Sequence, residues 1–157
     1  MVPVHSMAVT PFRRQDLLAT PPAARPPLHP LHALLLAFPI ALFTGALLAD
    51  IAYLQSAEIQ WTNFAAWLNA GALLMGGFVL LWALIEAFRL RRDRVRGRAG
   101  LYALLLAVMW IAGLINAFQH SHDGWSSVGT TGLLLSIVSA ALAIAAGWIA
   151  HSGWRSL

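Results

Sequence analysis

Histidine, carboxylate and tyrosine side chains stand at regular intervals inside long apolar stretches of this sequence, and these are the groups that could do chemistry. His32 and Asp50 are eighteen residues apart, which is five whole turns of α-helix, so they share one helix face. Tyr102 and His120 have the same spacing, and Asn116 lies along the same line. Imidazoles from two helices can bind a haem iron, or hold a metal together with a carboxylate. An ionisable group at membrane depth is a functional candidate by default.

The positions of these groups along four apolar spans predict two clusters, one at each end of a bundle. The first cluster is a candidate ligand or proton site to which every span contributes: His29, His32, Glu86, Tyr102 and His151. The second is a polar cluster at the other end: Asp50, Asn116, His120, His122 and Asp123. The alternative is that these histidines have interfacial or packing roles, because they all lie near span ends, where amphipathic side chains reach the headgroups.

Haem b is the cofactor that the histidines suggest, with His29 or His32 paired to His151. His32 and His120 cannot share one haem, because they lie roughly 25–30 Å apart at 1.5 Å per residue. We assign no metal ligand set. The sequence contains no cysteine, which excludes disulfides, thiolate metal sites and covalent c-type haem attachment within the chain.

The elements that position these residues are membrane helices. Mean hydropathy is +0.70 and only 10% of residues are charged, a balance typical of integral membrane proteins. Crossing a bilayer takes about 20 apolar residues. The sequence predicts an all-α, up-down four-helix transmembrane bundle over residues 28–151, with spans at about 31–53, 64–88, 100–119 and 130–150. Residues 1–27 read as a flexible cytoplasmic tail without the apolar region of a signal peptide, and 152–157 as a short cytoplasmic tail.

The distribution of arginine along the sequence predicts how the bundle is oriented in the membrane. Six of the ten basic residues fall within 89–98, and the rest lie in the two tails, so all of them are at one end of the bundle. The positive-inside rule places that end and both termini in the cytoplasm, which predicts a multi-pass protein of the bacterial inner membrane. The arginine loop is then expected to meet anionic lipid headgroups, and nucleic acid is not expected as a partner.

Small residues repeat at four-residue steps within the spans, a pattern that favours close helix packing in lipid. The predicted packing positions are Ala37, Ala41, Gly45, Ala49, Gly113, Gly132, Ser136 and Gly147. The alternative is that an alanine-rich composition scatters such pairs by chance.

The segments His29-Pro30-Leu31-His32 and Phe38-Pro39-Ile40-Ala41-Leu42, followed by Asp50, resemble the opening of a bacterial membrane family known as domain of unknown function 2231. The resemblance covers about residues 28–150. Ala33 stands where that family's motif has a second proline, and span three lacks the histidine that the family has before the asparagine matched by Asn116. The resemblance implies a small four-helix inner-membrane protein with no established activity. Some members are joined to a Rieske-type iron–sulfur domain, which hints at electron transfer.

No nucleophile–base pair, phosphate-binding loop or pair of catalytic carboxylates is recognisable in the sequence. The sequence therefore predicts a non-enzymatic membrane bundle of unknown role, for which a homo-oligomer is one of the options. One alternative is a redox or haem-associated subunit with a membrane redox partner. Another is a small proton or solute conduit along the polar faces of spans one and three.

Overall fold

Four long helices make up the described part of the chain. A computed structural model describes residues 29–89, 96–121 and 128–152. The helices are α1 (Pro30–Ser56), α2 (Ile59–Arg89), α3 (Arg96–His120) and α4 (Thr130–Ser152), and each is long and apolar enough to cross a membrane. The described ranges contain no strand, and the predicted all-α four-helix class is confirmed. The predicted N-terminal tail and the C-terminal tail after Ser152 lie outside the described residues.

Local chemistry sets both ends of α1. His29 is the N-cap, and its Nδ1 accepts a hydrogen bond from the backbone N–H of Leu31 at 3.3 Å. Pro30 follows at the first helical position, where a missing N–H costs nothing. At the other end Ala57 adopts a left-handed conformation with φ 53°, and its N–H bonds to the Tyr53 carbonyl at 2.7 Å. This closure stops the helix and turns the chain directly into α2.

The turn between α1 and α2 is shorter than the sequence predicts. Only Ala57 and Glu58 separate the two helices, whereas the polar composition of residues 54–63 suggests a loop. Gln55 and Ser56 belong to the last turn of α1 instead, and Gln60, Thr62 and Asn63 belong to the first turns of α2. Gln60 and Asn63 line a groove on the bundle surface, and Thr62 is buried. A tight turn holds α1 and α2 antiparallel along their whole length.

The helices form a ring in which each packs against its two neighbours along the chain, and α4 packs against α1. Across this ring α1 and α3 run parallel and in a constant register. His32 bonds to Tyr102 and Asp50 bonds to His120, and both pairs are seventy residues apart. The same register places Phe43 against Gly113, where an added Cβ would lie 2.6 Å from the Phe43 ring. Large core side chains therefore meet between α1 and α3, and small buried residues of α2 and α4 complete the core.

Most buried residues are small or polar, and many large apolar residues are exposed, which is what a lipid environment selects. Trp67, Phe88 and Trp148 are all at least 66% exposed. Asn69 of α2 donates to the Gly113 carbonyl at 3.0 Å, and Trp110 of α3 donates to the Leu73 carbonyl at 3.0 Å. Interhelical hydrogen bonds and close packing thus replace the hydrophobic effect as the cohesive forces.

The predicted packing stripe on α1 lies only partly inside the bundle. Ala37 and Ala41 are exposed, Gly45 is half-buried against Leu68, and Ala49 is buried. The reason is helical geometry: steps of four residues advance by about 40° each, so the stripe rotates out of the interface. The predicted positions on the other helices, Gly113, Gly132, Ser136 and Gly147, are all buried.

Candidate functional site

The Asp50 cluster, defined as Asp50, Asn116, His120 and Ser136, is a closed ring of hydrogen bonds among three helices. Asp50 Oδ1 lies 2.8 Å from His120 Nε2, and Asp50 Oδ2 accepts from the Ser136 hydroxyl. The Asn116 side chain donates to Ser136 Oγ at 2.8 Å. The Asn116 backbone carbonyl closes the ring by accepting from His120 Nδ1 at 2.9 Å. All four residues are buried, with Asp50 completely inaccessible.

This geometry fixes how many hydrogens the Asp50–His120 pair carries. A carbonyl oxygen can only accept, so His120 Nδ1 must carry a hydrogen. A neutral imidazole would then present a bare Nε2 lone pair to a carboxylate oxygen 2.8 Å away, which is repulsive. A second hydrogen must therefore lie between Nε2 and Oδ1. The pair is either an imidazolium with a carboxylate or a neutral imidazole with a carboxylic acid, and in both forms it holds one exchangeable proton.

The order of partners in the Asp50 cluster excludes a serine hydrolase triad. In such a triad the serine hydroxyl donates to histidine and the carboxylate orients the far side of the ring. Here Ser136 donates to Asp50, and the carboxylate stands between serine and histidine. Ser136 is also 1% exposed, so no substrate reaches it. The cluster holds a proton; it does not activate a nucleophile.

The His32 cluster, defined as His29, His32, Trp82, Glu86 and Tyr102, lies at the arginine end of the bundle. His32 Nε2 lies 2.8 Å from the Tyr102 hydroxyl, and both side chains are buried. Trp82 packs its ring 5.4 Å from those of His29 and His32, and its Nε1 donates to Glu86 at 3.0 Å. His29, Glu86 and His151 are close enough to interact electrostatically with His32.

Few lone pairs remain on the described histidines for a metal. His29 Nδ1 caps α1, and both nitrogens of His120 are engaged. His151 Nδ1 donates to its own Gly147 carbonyl, which leaves Nε2, and His32 has an unpartnered Nδ1. That Nδ1 is buried, with the rings of Trp82 and Tyr102 against His32. This donor set does not fit a bis-histidine haem, and the described residues contain no group of three or more metal-binding side chains.

An apolar layer separates the two clusters. Eighteen helical residues, about 27 Å, lie between the His32–Tyr102 and Asp50–His120 levels. The α1–α3 seam between them is filled by Leu36, Phe43, Leu106 and Met109, none more than 1% exposed. The polar faces of spans one and three therefore do not join into a continuous polar path in this conformation.

The second predicted cluster is only partly assembled by the described residues. Asp50, Asn116 and His120 meet, whereas His122 and Asp123 lie outside the described residues. Ser136, which the sequence placed among packing residues, is the direct partner of Asp50. Trp82 of the His32 cluster was not predicted. The sequence feature that could have identified Trp82 is its position four residues before Glu86, because this spacing puts both side chains on one side of α2.

Oxygen atoms beside the Asp50 cluster offer further polar surface inside the bundle. Thr62 Oγ1, Asn69 Oδ1, Asn116 Oδ1 and Ser139 Oγ are buried and have no hydrogen-bond partner among the described residues. A buried acceptor without a partner costs free energy, and ordered water commonly satisfies such groups. The polar interior therefore extends beyond the four residues of the ring, onto α2.

Comparison with known proteins identifies the family. No curated protein and no solved structure shows significant similarity to this chain. A family profile described as "Predicted membrane protein (DUF2231)" matches residues 28–155, which include all four helices. The match covers both clusters and most of the chain, in agreement with the resemblance carried by the His29–His32 and Phe38–Leu42 segments. The chain belongs to the DUF2231 family of predicted membrane proteins.

Proposed function

We propose that this protein is a non-enzymatic, proton-handling membrane bundle in which the Asp50–His120 pair takes up and releases one proton. The observation that carries the proposal is the contact between His120 Nε2 and Asp50 Oδ1, made while His120 Nδ1 faces a carbonyl. The contact requires a hydrogen that an ordinary carboxylate and neutral imidazole would not supply. An ionisable pair buried at membrane depth is costly, so its presence favours a functional role over a purely structural one.

The pair exchanges its proton without forming an open pore. The apolar layer of Leu36, Phe43, Leu106 and Met109 blocks a direct route toward the His32 cluster. Proton movement across the whole bundle would require that layer to rearrange. The proposal is therefore a proton-binding site with access from one end, which distinguishes it from a leak.

Proton counting tests the proposal. Purified protein in weakly buffered detergent is titrated with a pH indicator, and the protons bound are compared for wild type and Asp50→Asn. Wild type is expected to exchange one proton that the variant does not. Glu58→Gln is the matched control, because Glu58 is an exposed carboxylate at the same end of the bundle. The Glu58→Gln variant should keep the additional proton exchange that distinguishes wild type from Asp50→Asn.

Equal proton uptake by wild type and Asp50→Asn over the range in which both stay folded would overturn the proposal. If Asp50→Asn does not fold, infrared spectroscopy of the wild type replaces it. A carboxyl band that changes on a pH jump, and that loses this change in His120→Gln, supports a shared proton. A band that is unaffected by the substitution contradicts it.

We further propose the inner membrane of a bacterium as the location, with both termini and the arginine loop in the cytoplasm. In the sequence the ten arginines fall within residues 13–25, within residues 89–98 and at Arg155, while Asp50 and Glu58 lie at the end of the bundle that is opposite to Arg89. Residues 89–98 would then rest on anionic headgroups. A periplasmic reporter enzyme should be inactive when fused after Arg94 and active when fused after Ser126. The reverse pattern would overturn the orientation.

A further inference from the structure

A groove on the lipid-facing side of α1 and α2 ends in two opposite charges. The groove has a volume of about 580 Å³ and lies toward the arginine end of the bundle. Its apolar lining comes from Leu35, Phe78, Leu81, Trp82 and Ile85, and Glu86 and Arg89 stand at its end. Phe78, Leu81 and Ile85 are each 47–58% exposed on a helix that crosses the membrane. The groove is therefore open to lipid.

The length of the groove matches one leaflet. From Phe78 to Arg89 the helix rises about 16 Å, close to half of a hydrocarbon core of about 30 Å. Arg89 is the last residue of α2, so the charged end of the groove lies where the helix reaches headgroup depth. An acyl chain lying along the apolar residues would bring its headgroup to Glu86 and Arg89.

The two charged residues at the end of the groove, Glu86 and Arg89, do not pair with each other. Glu86 and Arg89 are three residues apart, a spacing at which side chains on one helix can meet, yet they form no ion pair. Glu86 instead accepts a hydrogen bond from Trp82 Nε1 at 3.0 Å. Arg89 is exposed and has no ion-pair partner among the described residues. An acid and a base held side by side at headgroup depth are complementary to a zwitterion.

We propose that this groove binds a phospholipid whose headgroup carries both a phosphate and a primary ammonium, namely phosphatidylethanolamine. Arg89 binds the phosphate through its planar donor fork, and Glu86 accepts from the ammonium group. The acyl chain lies over Phe78, Leu81 and Ile85. An anionic lipid without a cationic headgroup would satisfy Arg89 but place no positive charge against Glu86.

The bound lipid would lie against the wall of the His32 cluster. Trp82 lines the groove, donates to Glu86 and packs on both His29 and His32. The proposed lipid site is thus one side chain away from the buried His32–Tyr102 pair. The site itself stands on the groove and its two charges and does not depend on the Asp50 proton.

Lipid competition tests this site directly. The full chain in detergent is mixed with equimolar phosphatidylethanolamine, phosphatidylcholine and phosphatidylglycerol with identical acyl chains, and retained lipid is measured by native mass spectrometry. Because the arginines of residues 89–98 also attract phosphatidylglycerol, the readout is the ratio of retained phosphatidylethanolamine to retained phosphatidylglycerol. Glu86→Gln keeps an acceptor for Trp82 and should lower that ratio by about three- to fivefold, the upper range for one solvent-exposed charge contact. Arg89→Gln should lower retention of all three lipids.

Two further variants test whether the retained lipid binds in the groove or elsewhere on the protein surface. Glu58→Gln removes a carboxylate from the other end of the bundle and should leave the ratio unchanged. Ile85→Trp adds bulk in the groove at an exposed position and should reduce total retained lipid. An equal ratio of phosphatidylethanolamine to phosphatidylglycerol in wild type and Glu86→Gln would overturn the proposal. So would a ratio that falls equally in Glu58→Gln.

Discussion

The Asp50 and His32 clusters occupy equivalent places in the bundle but are built differently. Each joins α1 to α3 through residues seventy apart at a 2.8 Å contact. Around Asp50 both carboxylate oxygens and both imidazole nitrogens of His120 are paired. Around His32 one nitrogen is paired, and Nδ1 has no hydrogen-bond partner among the residues that the structure describes. The same helix register therefore supports one closed and one incompletely satisfied polar site.

The difference in pairing between His120 and His32 indicates two different roles for a buried histidine. A closed ring with a charged or proton-sharing pair is rigid, and removing any member leaves its neighbours unpaired in a dry interior. A single hydrogen bond with a spare nitrogen can adjust to what contacts it. We expect the Asp50 cluster to dominate stability and the His32 cluster to tolerate substitution, and the following variants test that ranking.

Removal of the Asp50 carboxylate should have the largest effect. Asp50→Ala leaves His120 and Ser136 without their acceptor, and breaking a buried pair in this way costs about 3–5 kcal/mol. Equilibrium unfolding in mixed detergent micelles measures the change in free energy of unfolding. Glu58→Ala, at an exposed position, should stay within about 0.5 kcal/mol of wild type. Equal losses in the two variants would contradict the ranking.

Overpacking of the apolar layer between the clusters should rank second. In Gly113→Ala the new Cβ would lie 2.6 Å from the Phe43 ring, so Phe43 must move within a filled seam. The expected loss is about 2 kcal/mol. Combining it with Phe43→Leu, which removes the ring, should cost less than the sum of the single changes. Additive losses in the same unfolding assay would show that the two residues do not compete for space.

Loss of the Ser136 hydroxyl should rank third. Ser136→Ala removes the donor to Asp50 and the acceptor for Asn116, two contacts inside the closed ring. The expected cost is about 1–2 kcal/mol, because two buried polar groups lose a partner. A Ser136→Thr variant keeps the hydroxyl and is the matched control. Restored stability in that variant identifies the hydrogen bonds as the cause, whereas equal loss in both points to packing.

Loss of the Tyr102 hydroxyl should have the smallest effect. Tyr102→Phe removes the one hydrogen bond of the His32 pair, and interhelical hydrogen bonds in membrane proteins average about 0.6 kcal/mol. The aromatic ring and its contact with His32 remain. A loss in Tyr102→Phe greater than that in Ser136→Ala would reverse the comparison between the clusters.

Sequence reasoning predicted the inward faces of spans one and three because helical periodicity is local. The spacing within one helix is enough to place His32 and Asp50 on a shared face of α1. The same holds for Tyr102 and His120 on α3, independently of how the helices pack. Pairing His32 with Tyr102 and Asp50 with His120 depends on the axial register of α1 against α3. That register is set by the two-residue turn after α1 and by packing such as Phe43 against Gly113, neither of which has a clear pattern in the sequence.

Ser136 and the α1 stripe show where pattern reasoning fails. A serine in an apolar span has the same signature whether it packs as a small residue or donates to a buried carboxylate. Ala37 and Ala41 fit a four-residue repeat, but the true helical period turns them toward the outside of the bundle. Both errors arise because sequence spacing gives the angle of a residue around its helix, and only the assembled bundle gives its partner.

The protonation state of His120 tests the central claim most directly. Solid-state NMR of ¹⁵N-histidine-labelled protein in bilayers reports whether each ring nitrogen carries a hydrogen, and His120→Gln assigns the signals. We predict that Nδ1 carries a hydrogen, that a second hydrogen lies between Nε2 and Asp50 at neutral pH, and that Asp50→Asn removes this shared proton. A neutral His120 ring with a bare Nδ1, or a spectrum unchanged by Asp50→Asn, would contradict the account.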